Sequence, residues 1–233
     1  MTAVQHLIHD FARLFFPHRC AGCGTDTLNK ESPLCLRCLH QLPVTNFHLY
    51  ADNPVEKQFT GTLRLVSATS YCYFSRHTLV QHLLHAFKYR GNAATGLLLG
   101  RLMGKTLQES GRFDGIDALV PLPLHPAKER KRGYNQAEIL CRGMAQVLEL
   151  PVITGAVIRR KDAASQTHKT RVERWQSMEE QFQLAQPAIV AGRHLLLVDD
   201  VITTGSTLHA CARALLKAPG VRISIATLAC TVE

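Results

Sequence analysis

Apolar residues recur along this chain with two alternating periods, and the alternation predicts an α/β fold. Val4, Leu7, Ile8, Phe11, Leu14 and Phe15 share one helical face, which predicts a helix over 4–16 packed on its own domain. Leu63 to Phe74 is rich in β-branched and aromatic residues and predicts a strand. Leu79, Val80, Leu83, Leu84 and Phe87 then return to helical spacing, predicting a helix from His77 to Arg90 that ends at F-K-Y-R-G, with cations in its last turn and Gly91 just beyond. A further helix is predicted from Leu97 to Leu107. Asp117 to Pro123 reads as a parallel strand, Gln136 to Leu148 as a helix capped by Asn135, and Val152 to Ile158 as another parallel strand. Phe182 to Leu184 is a short strand. Leu195 to Val198 is a near-continuous apolar strand, followed by a helix carrying Leu208, Cys211, Ala212, Leu215 and Leu216. Ile223 to Leu228 is the last strand. Strand-helix alternation of this kind calls for a parallel sheet covered on both faces.

Three stretches break the pattern. Residues 43–61, with Pro43, Asn46, Asp52, Asn53, Pro54 and Gly61, read as a linker or loop. They divide the chain into an N-terminal unit over 1–45 and an α/β domain over 60–233. Leu124 to Gln136 gathers Lys128, Arg130, Lys131 and Arg132 in a basic loop at the carboxyl end of a strand, where ligands bind in open α/β sheets. Arg159 to Trp175 is long and polar without an apolar face. It carries Arg159, Arg160, Lys161, Lys169, Arg171 and Arg174, and reads as a mobile functional loop.

At 233 residues the chain accommodates one ordinary domain and a small appendage. Its 46% apolar and 19% charged residues describe a globular chain rather than a disordered one. No apolar run approaches the ~18 residues of a membrane span. Asp10 and Arg13 interrupt the N-terminal apolar residues, so no export signal is expected and the expected location is cytoplasmic. In a reducing compartment, eight cysteines point to metal rather than disulfides. Cys20 and Cys23 form one Cys-x-x-Cys hook and Cys35 and Cys38 a second. Four thiolates so spaced suit a structural Zn²⁺ with no open coordination position. His18 and His40 are expected near the metal but not on it. Cys72, Cys141, Cys211 and Cys230 lie in apolar surroundings and read as core thiols. The formal net charge of +9 favours an anionic partner. A phosphorylated small molecule and a nucleic acid both satisfy that, and the charge does not separate them.

The chemistry concentrates at Leu195 to Thr207, LLLVDDVITTGST. The strand delivers Asp199 and Asp200 to its carboxyl end, where they can accept hydrogen bonds from sugar hydroxyls or face a hydrated Mg²⁺. Thr203, Thr204, Gly205, Ser206 and Thr207 make a tight hydroxyl-rich loop into a helix start, an anion site. The stretch is not a Walker A loop, since it lacks G-x-x-x-x-G-K-[ST].

This stretch resembles the phosphoribosyl pyrophosphate (PRPP) motif of the type I phosphoribosyltransferases. The resemblance implies that Thr203–Thr207 cradles the 5′-phosphate of PRPP while Asp199 and Asp200 hold the ribose hydroxyls. It implies Mg²⁺ with the substrate, a pyrophosphate site at the basic loop with Lys131 and Arg132, and closure of the 159–175 loop with Arg171 over the leaving group. Purine salvage enzymes for 6-oxopurines carry an Asp where this chain has Thr203, which argues against that acceptor. Taken in order, the four cysteines, F-K-Y-R-G, V-P-L-P-L-H-P, R-G-Y-N-Q (Arg132–Gln136), A-S-Q-T, V-E-R and V-D-D-V-I-T-T-G-S-T resemble the ComF/GntX family, which joins a zinc-finger-like module to a phosphoribosyltransferase-type domain. That resemblance implies a role in using external DNA or in competence-related DNA uptake, with an unidentified acceptor. The alternative it leaves is a non-catalytic PRPP sensor or DNA-handling accessory, with gluconate metabolism a further association.

Overall fold

The computed structural model describes residues 19–26, 32–89, 92–159 and 181–231. In chain order these form α1 (Leu36–His40), a 3-10 turn (Phe47–Leu49), α2 (Pro54–Lys57), β1 (Ala68–Tyr73), α3 (Leu79–Tyr89), α4 (Ala93–Gln108) and β2 (Ala118–Pro121). They continue with α5 (Pro126–Arg132), α6 (Gln136–Leu148), β3 (Val157–Arg159), β4 (Phe182–Leu184), β5 (His194–Ile202), α7 (Ser206–Leu215) and β6 (Arg222–Cys230). The expected helix over 4–16 lies outside the described residues.

The main sheet has the order β1-β6-β5-β2, and every pairing is parallel. Strands β5 and β6 are buried along most of their length, as their continuous apolar runs require. On one face, α7, the β3–β4 ribbon and the 47–59 segment pack on Leu195, Leu197, Ile223 and Ile225. On the other, α3, α4 and α6 pack on Leu196, Val198 and Leu228. Helices α4 and α6 approach closely through glycines. A Cβ on Gly100 would come within 2.4 Å of the Leu140 carbonyl oxygen, and one on Gly143 within 2.4 Å of that of Leu97.

The strand order creates a switch point. After β2 the chain crosses through α6 to Val152, which bridges Leu119 on one side. After β5 it crosses through α7 to β6 on the other side. The two connections diverge between β2 and β5, the arrangement in which open α/β sheets form a ligand crevice beyond the carboxyl ends of their strands. Asp199 and Asp200 lie there.

The structure departs from four expectations. Residues 43–61 are not a linker: Phe47, Val55 and Phe59 are core residues, and Asn53 is wholly buried. The Asn53 amide donates to the carbonyls of Phe47, Tyr50 and Ala68 while its oxygen accepts from the N–H groups of Val55 and Glu56, so a polar side chain staples the segment to β1. The first strand begins at Ala68 rather than Leu63. The basic residues 126–132 form a helix, not a loop. Pro126 takes the first helical position, the His125 ring accepts from the Ala127 N–H, and Gly133 ends it at a φ of 83°. Finally, Val152 to Ile158 is not one parallel strand. It breaks at Gly155, and Val157–Arg159 pairs antiparallel with Phe182–Leu184 in a separate ribbon.

Candidate functional site: a carboxylate pair and a cysteine knuckle

Strand β5 runs through both acids, beyond the apolar stretch that announces it. Alternation sends neighbouring side chains to opposite faces. Asp200 faces α3, where Lys88 Nζ lies 2.7 Å from its Oδ2. Asp199 faces α7 and β3 and accepts from the Asp200 backbone N–H at 2.8 Å through Oδ1. Burial and the Asp200 carboxylate push Asp199 up to about 8, against the pull of the Asp200 N–H, Lys88 and Arg159. Arg159 is held nearby by Gln181 at 3.1 Å and stacks over Phe182.

The loop after the acids turns on Gly205, whose φ is 69°. A Cβ there would sit 3.1 Å from both Phe59 Cζ and Gln58 Oε1, so only glycine fits without displacement. As N-cap of α7, Gly205 supplies no side-chain cap. The first turn of this ten-residue helix therefore presents uncapped N–H groups. The Thr204 and Ser206 hydroxyls lie 3.0 Å apart above it.

The loop after β2 is locked beside this crevice. The Leu122 N–H donates to the Val198 carbonyl, and Asn135 donates to the Leu122 carbonyl while capping α6. The Arg132 guanidinium donates to Gln136 Oε1 at 2.7 Å, and the Tyr134 hydroxyl donates to the Phe87 carbonyl. Lys128, Arg130 and Lys131 are exposed on α5.

The second centre is the cysteine knuckle. The sulfurs of Cys20, Cys23, Cys35 and Cys38 all lie within 4.8 Å of one another. Cys23 Sγ and Cys35 Sγ are 3.7 Å apart. Four sulfurs bound at about 2.3 Å to one tetrahedral ion stand roughly 3.8 Å apart, so the set fits a metal. Backbone N–H groups of Gly22 and Cys35 point at Cys20 Sγ. Burial raises the Cys20 thiol, but backbone donors at Cys23, Cys35 and Gly22 outweigh it and bring it to about 6. Burial and hydrogen bonding with the other thiols hold Cys38 well above its ordinary value. His40 is exposed and stands outside the cluster. Cys72, Cys141, Cys211 and Cys230 are buried thiols.

Residues 134–231 match the model of the phosphoribosyl transferase domain. The DNA utilization protein YhgH of Escherichia coli is 30% identical to this chain over 201 residues, covering 85% of this chain and 84% of that protein. The chain belongs to the ComF/GntX family. Two further relatives are Competence protein F of Haemophilus influenzae, 27% identical over 87% of this chain and 93% of its own, and Competence protein ComFC of Bacillus subtilis, 31% identical over 62% and 56%.

In this ComF/GntX chain, the structure brings Asp199, Asp200 and Thr203–Thr207 to one strand end and helix start. It sets Lys131 and Arg132 on a helix that begins beyond the neighbouring strand. Arg171, with most of the 159–175 loop, lies outside the described residues. Two residues near the acids escape a reading of the sequence. F-K-Y-R-G marks Lys88 only as a cation at a helix end. Composition places Arg159 in a polar loop, whereas it closes β3.

The surroundings of Asp199 make stability depend on pH. An aspartate raised from 3.8 to about 8 holds its proton in the folded chain at pH values where the unfolded chain has lost it. Stability from this group is therefore complete at low pH and declines as pH rises through that window. Asp199→Asn removes the decline. Its stabilisation of the ligand-free protein should grow between about pH 4 and pH 8 and then level off. Urea unfolding across a pH series checks this; parallel curves for the two proteins would contradict it.

Proposed function

We propose that this chain binds PRPP in the crevice between β2 and β5 and acts as a phosphoribosyltransferase-type protein in the use of external DNA. The observation that carries the reading is the pairing, at the switch point, of two adjacent carboxylates with an uncapped helix N-terminus. Asp199 and Asp200 accept the ribose hydroxyls, and Thr203–Thr207 with the first-turn N–H groups of α7 take the 5′-phosphate. Lys131 and Arg132, with Arg171 from the 159–175 loop, face the pyrophosphate. During transfer the bond from the anomeric carbon to pyrophosphate breaks, its electron pair leaves with pyrophosphate, and an acceptor nucleophile bonds to that carbon. Fixed cations stabilise the charge that develops on the leaving group. Mg²⁺, bound with PRPP, would add charge neutralisation there.

The metal of the cysteine knuckle is zinc in this reading, since four thiolates in tetrahedral array favour it and leave no position for substrate. Eight cysteines without a disulfide among the described residues support a reducing, cytoplasmic location. No helix among the described residues is long and apolar enough to cross a membrane. The DNA connection rests on the names of the relatives and on the excess positive charge, part of it exposed on α5. The test is release of pyrophosphate from PRPP and Mg²⁺ with a panel of bases, nucleosides and single-stranded DNA. Release that depends on one acceptor class supports transfer. PRPP binding without release under every acceptor would leave a sensor and overturn the enzymatic part.

A further inference from the structure

The described residues place a single lysine against the carboxylate pair, and it comes from a helix far away in the sequence. We propose that Lys88 is a positioning residue of the PRPP site: its ammonium holds Asp200, and α3 holds the ammonium. The inference rests on the PRPP reading above and assigns that site a further residue.

The contact is close and sheltered. Lys88 Nζ lies 2.7 Å from Asp200 Oδ2, with the two side chains only 23% and 14% exposed. Partial burial strengthens a charge pair relative to one in open solvent. The pair also answers a need of the site. Two adjacent carboxylates in a half-buried crevice repel each other, which favours a proton on one of them, and a nearby cation lessens that tendency. A protonated carboxyl has lost part of its accepting capacity, whereas the ribose hydroxyls must donate to both acids. Lys88 offsets part of that repulsion on the α3 face and Arg159 part of it on the face of β3, while Asp199 stays raised in the ligand-free chain. With Lys88 in place, the Asp200 side chain is held on the α3 face before ligand arrives.

The helix behind Lys88 is fixed at both ends. At its start, Leu79 packs against the cysteine knuckle so tightly that a Cβ on Gly22 would come 2.8 Å from Leu79 Cδ1 and 2.7 Å from Cys38 Sγ. At its end, the Phe87 carbonyl accepts from the Tyr134 hydroxyl, and the two rings stand 5.8 Å apart. The position of one ammonium thus depends on the knuckle and on the R-G-Y-N-Q segment. This gives both F-K-Y-R-G and R-G-Y-N-Q a physical task at one place.

Calorimetric titration of PRPP with Mg²⁺ into the full chain tests the assignment, with Lys88→Gln, Lys88→Arg and Tyr134→Phe beside the wild type. Lys88→Gln should weaken binding by about tenfold or more, because it strands a sheltered carboxylate. Lys88→Arg should recover most of that loss, since it restores the charge on a stem of similar length. Tyr134→Phe should fall between the wild type and Lys88→Gln, through a loosened last turn. Thermal melts of each variant show that it is folded, and Lys88→Arg keeps the test sharp if the glutamine variant is not. Binding by Lys88→Gln within about twofold of wild type would overturn the assignment, as would Lys88→Arg binding as poorly as Lys88→Gln. A wild type that binds no PRPP would overturn the site reading itself, and the role of Lys88 with it.

Discussion

Stripping the metal from the cysteine knuckle is expected to lower the midpoint of thermal unfolding by about 10 °C or more. A structural zinc held by thiolates carries an apparent binding free energy of about 10–16 kcal/mol at neutral pH, because the site does not exist in the unfolded chain. If only about a third of that reaches global stability, roughly 4 kcal/mol is lost, which in a chain of this size is a shift on the order of 10 °C. The loss should not stay local. Cys20, Leu34, Cys38 and Leu42 belong to the same apolar cluster as Val80, Leu83, Leu84 and Phe87 of α3. Cys20 and Cys38 are themselves almost wholly buried, so without metal four sulfurs crowd within 4.8 Å of one another with no ion to hold them together. Cys20→Ser and Cys38→Ser should reproduce the effect of chelation, and adding Zn²⁺ back should restore only the wild type. Scanning calorimetry of chelator-treated and reconstituted protein, with metal content by elemental analysis, checks this. A wild type without bound metal that melts at the same temperature as the reconstituted protein would contradict it.

The parts of the site that are legible in the sequence are those built from contiguous residues. LLLVDDVITTGST carries its strand, acids, turn and helix start within thirteen residues, and β5 and α7 follow that plan. The Cys-x-x-Cys hooks are local in the same way, and the structure brings their sulfurs together. Asn135 caps α6 as its position before the apolar run predicts.

What the sequence hides depends on tertiary contact. Asn53 looks like loop composition but is wholly buried, because its amide satisfies carbonyls of three separate residues. The four cations of 126–132 suppress any apolar periodicity, so the helix there is visible only through His125, Pro126 and Gly133 at its ends. Val152 to Ile158 has the composition of a buried strand, yet Gly155 takes a φ of 77° and turns the chain out of the sheet. The Lys88–Asp200 pair joins a helix end to a strand end, and no local spacing announces it.

The largest functional effect should come from the acids. Asp199→Asn and Asp200→Asn together keep the size and one acceptor oxygen of each side chain but remove both carboxyl groups. A carboxylate offers about four acceptor sites to a diol, whereas an asparagine offers about two and adds donors that confront the hydroxyls. Hydrogen bonds to charged groups contribute roughly 1.5–3 kcal/mol each, so the double variant should lose on the order of a hundredfold or more in PRPP affinity. The fold should survive. Asp199→Asn relieves the raised carboxyl of the ligand-free protein, and the backbone N–H of residue 200 can still donate to the amide oxygen that replaces Oδ1. Lost binding in a protein that melts like the wild type would therefore belong to the site.

Calorimetric titration of PRPP into metal-replete protein, with and without Mg²⁺, beside the Asp199→Asn, Asp200→Asn variant, decides the matter. Saturable one-site binding by the wild type, strengthened by Mg²⁺ and lost in the folded variant, is expected. A wild type that binds no PRPP, or a variant that binds it equally well, would show that the crevice between β2 and β5 is not a PRPP site.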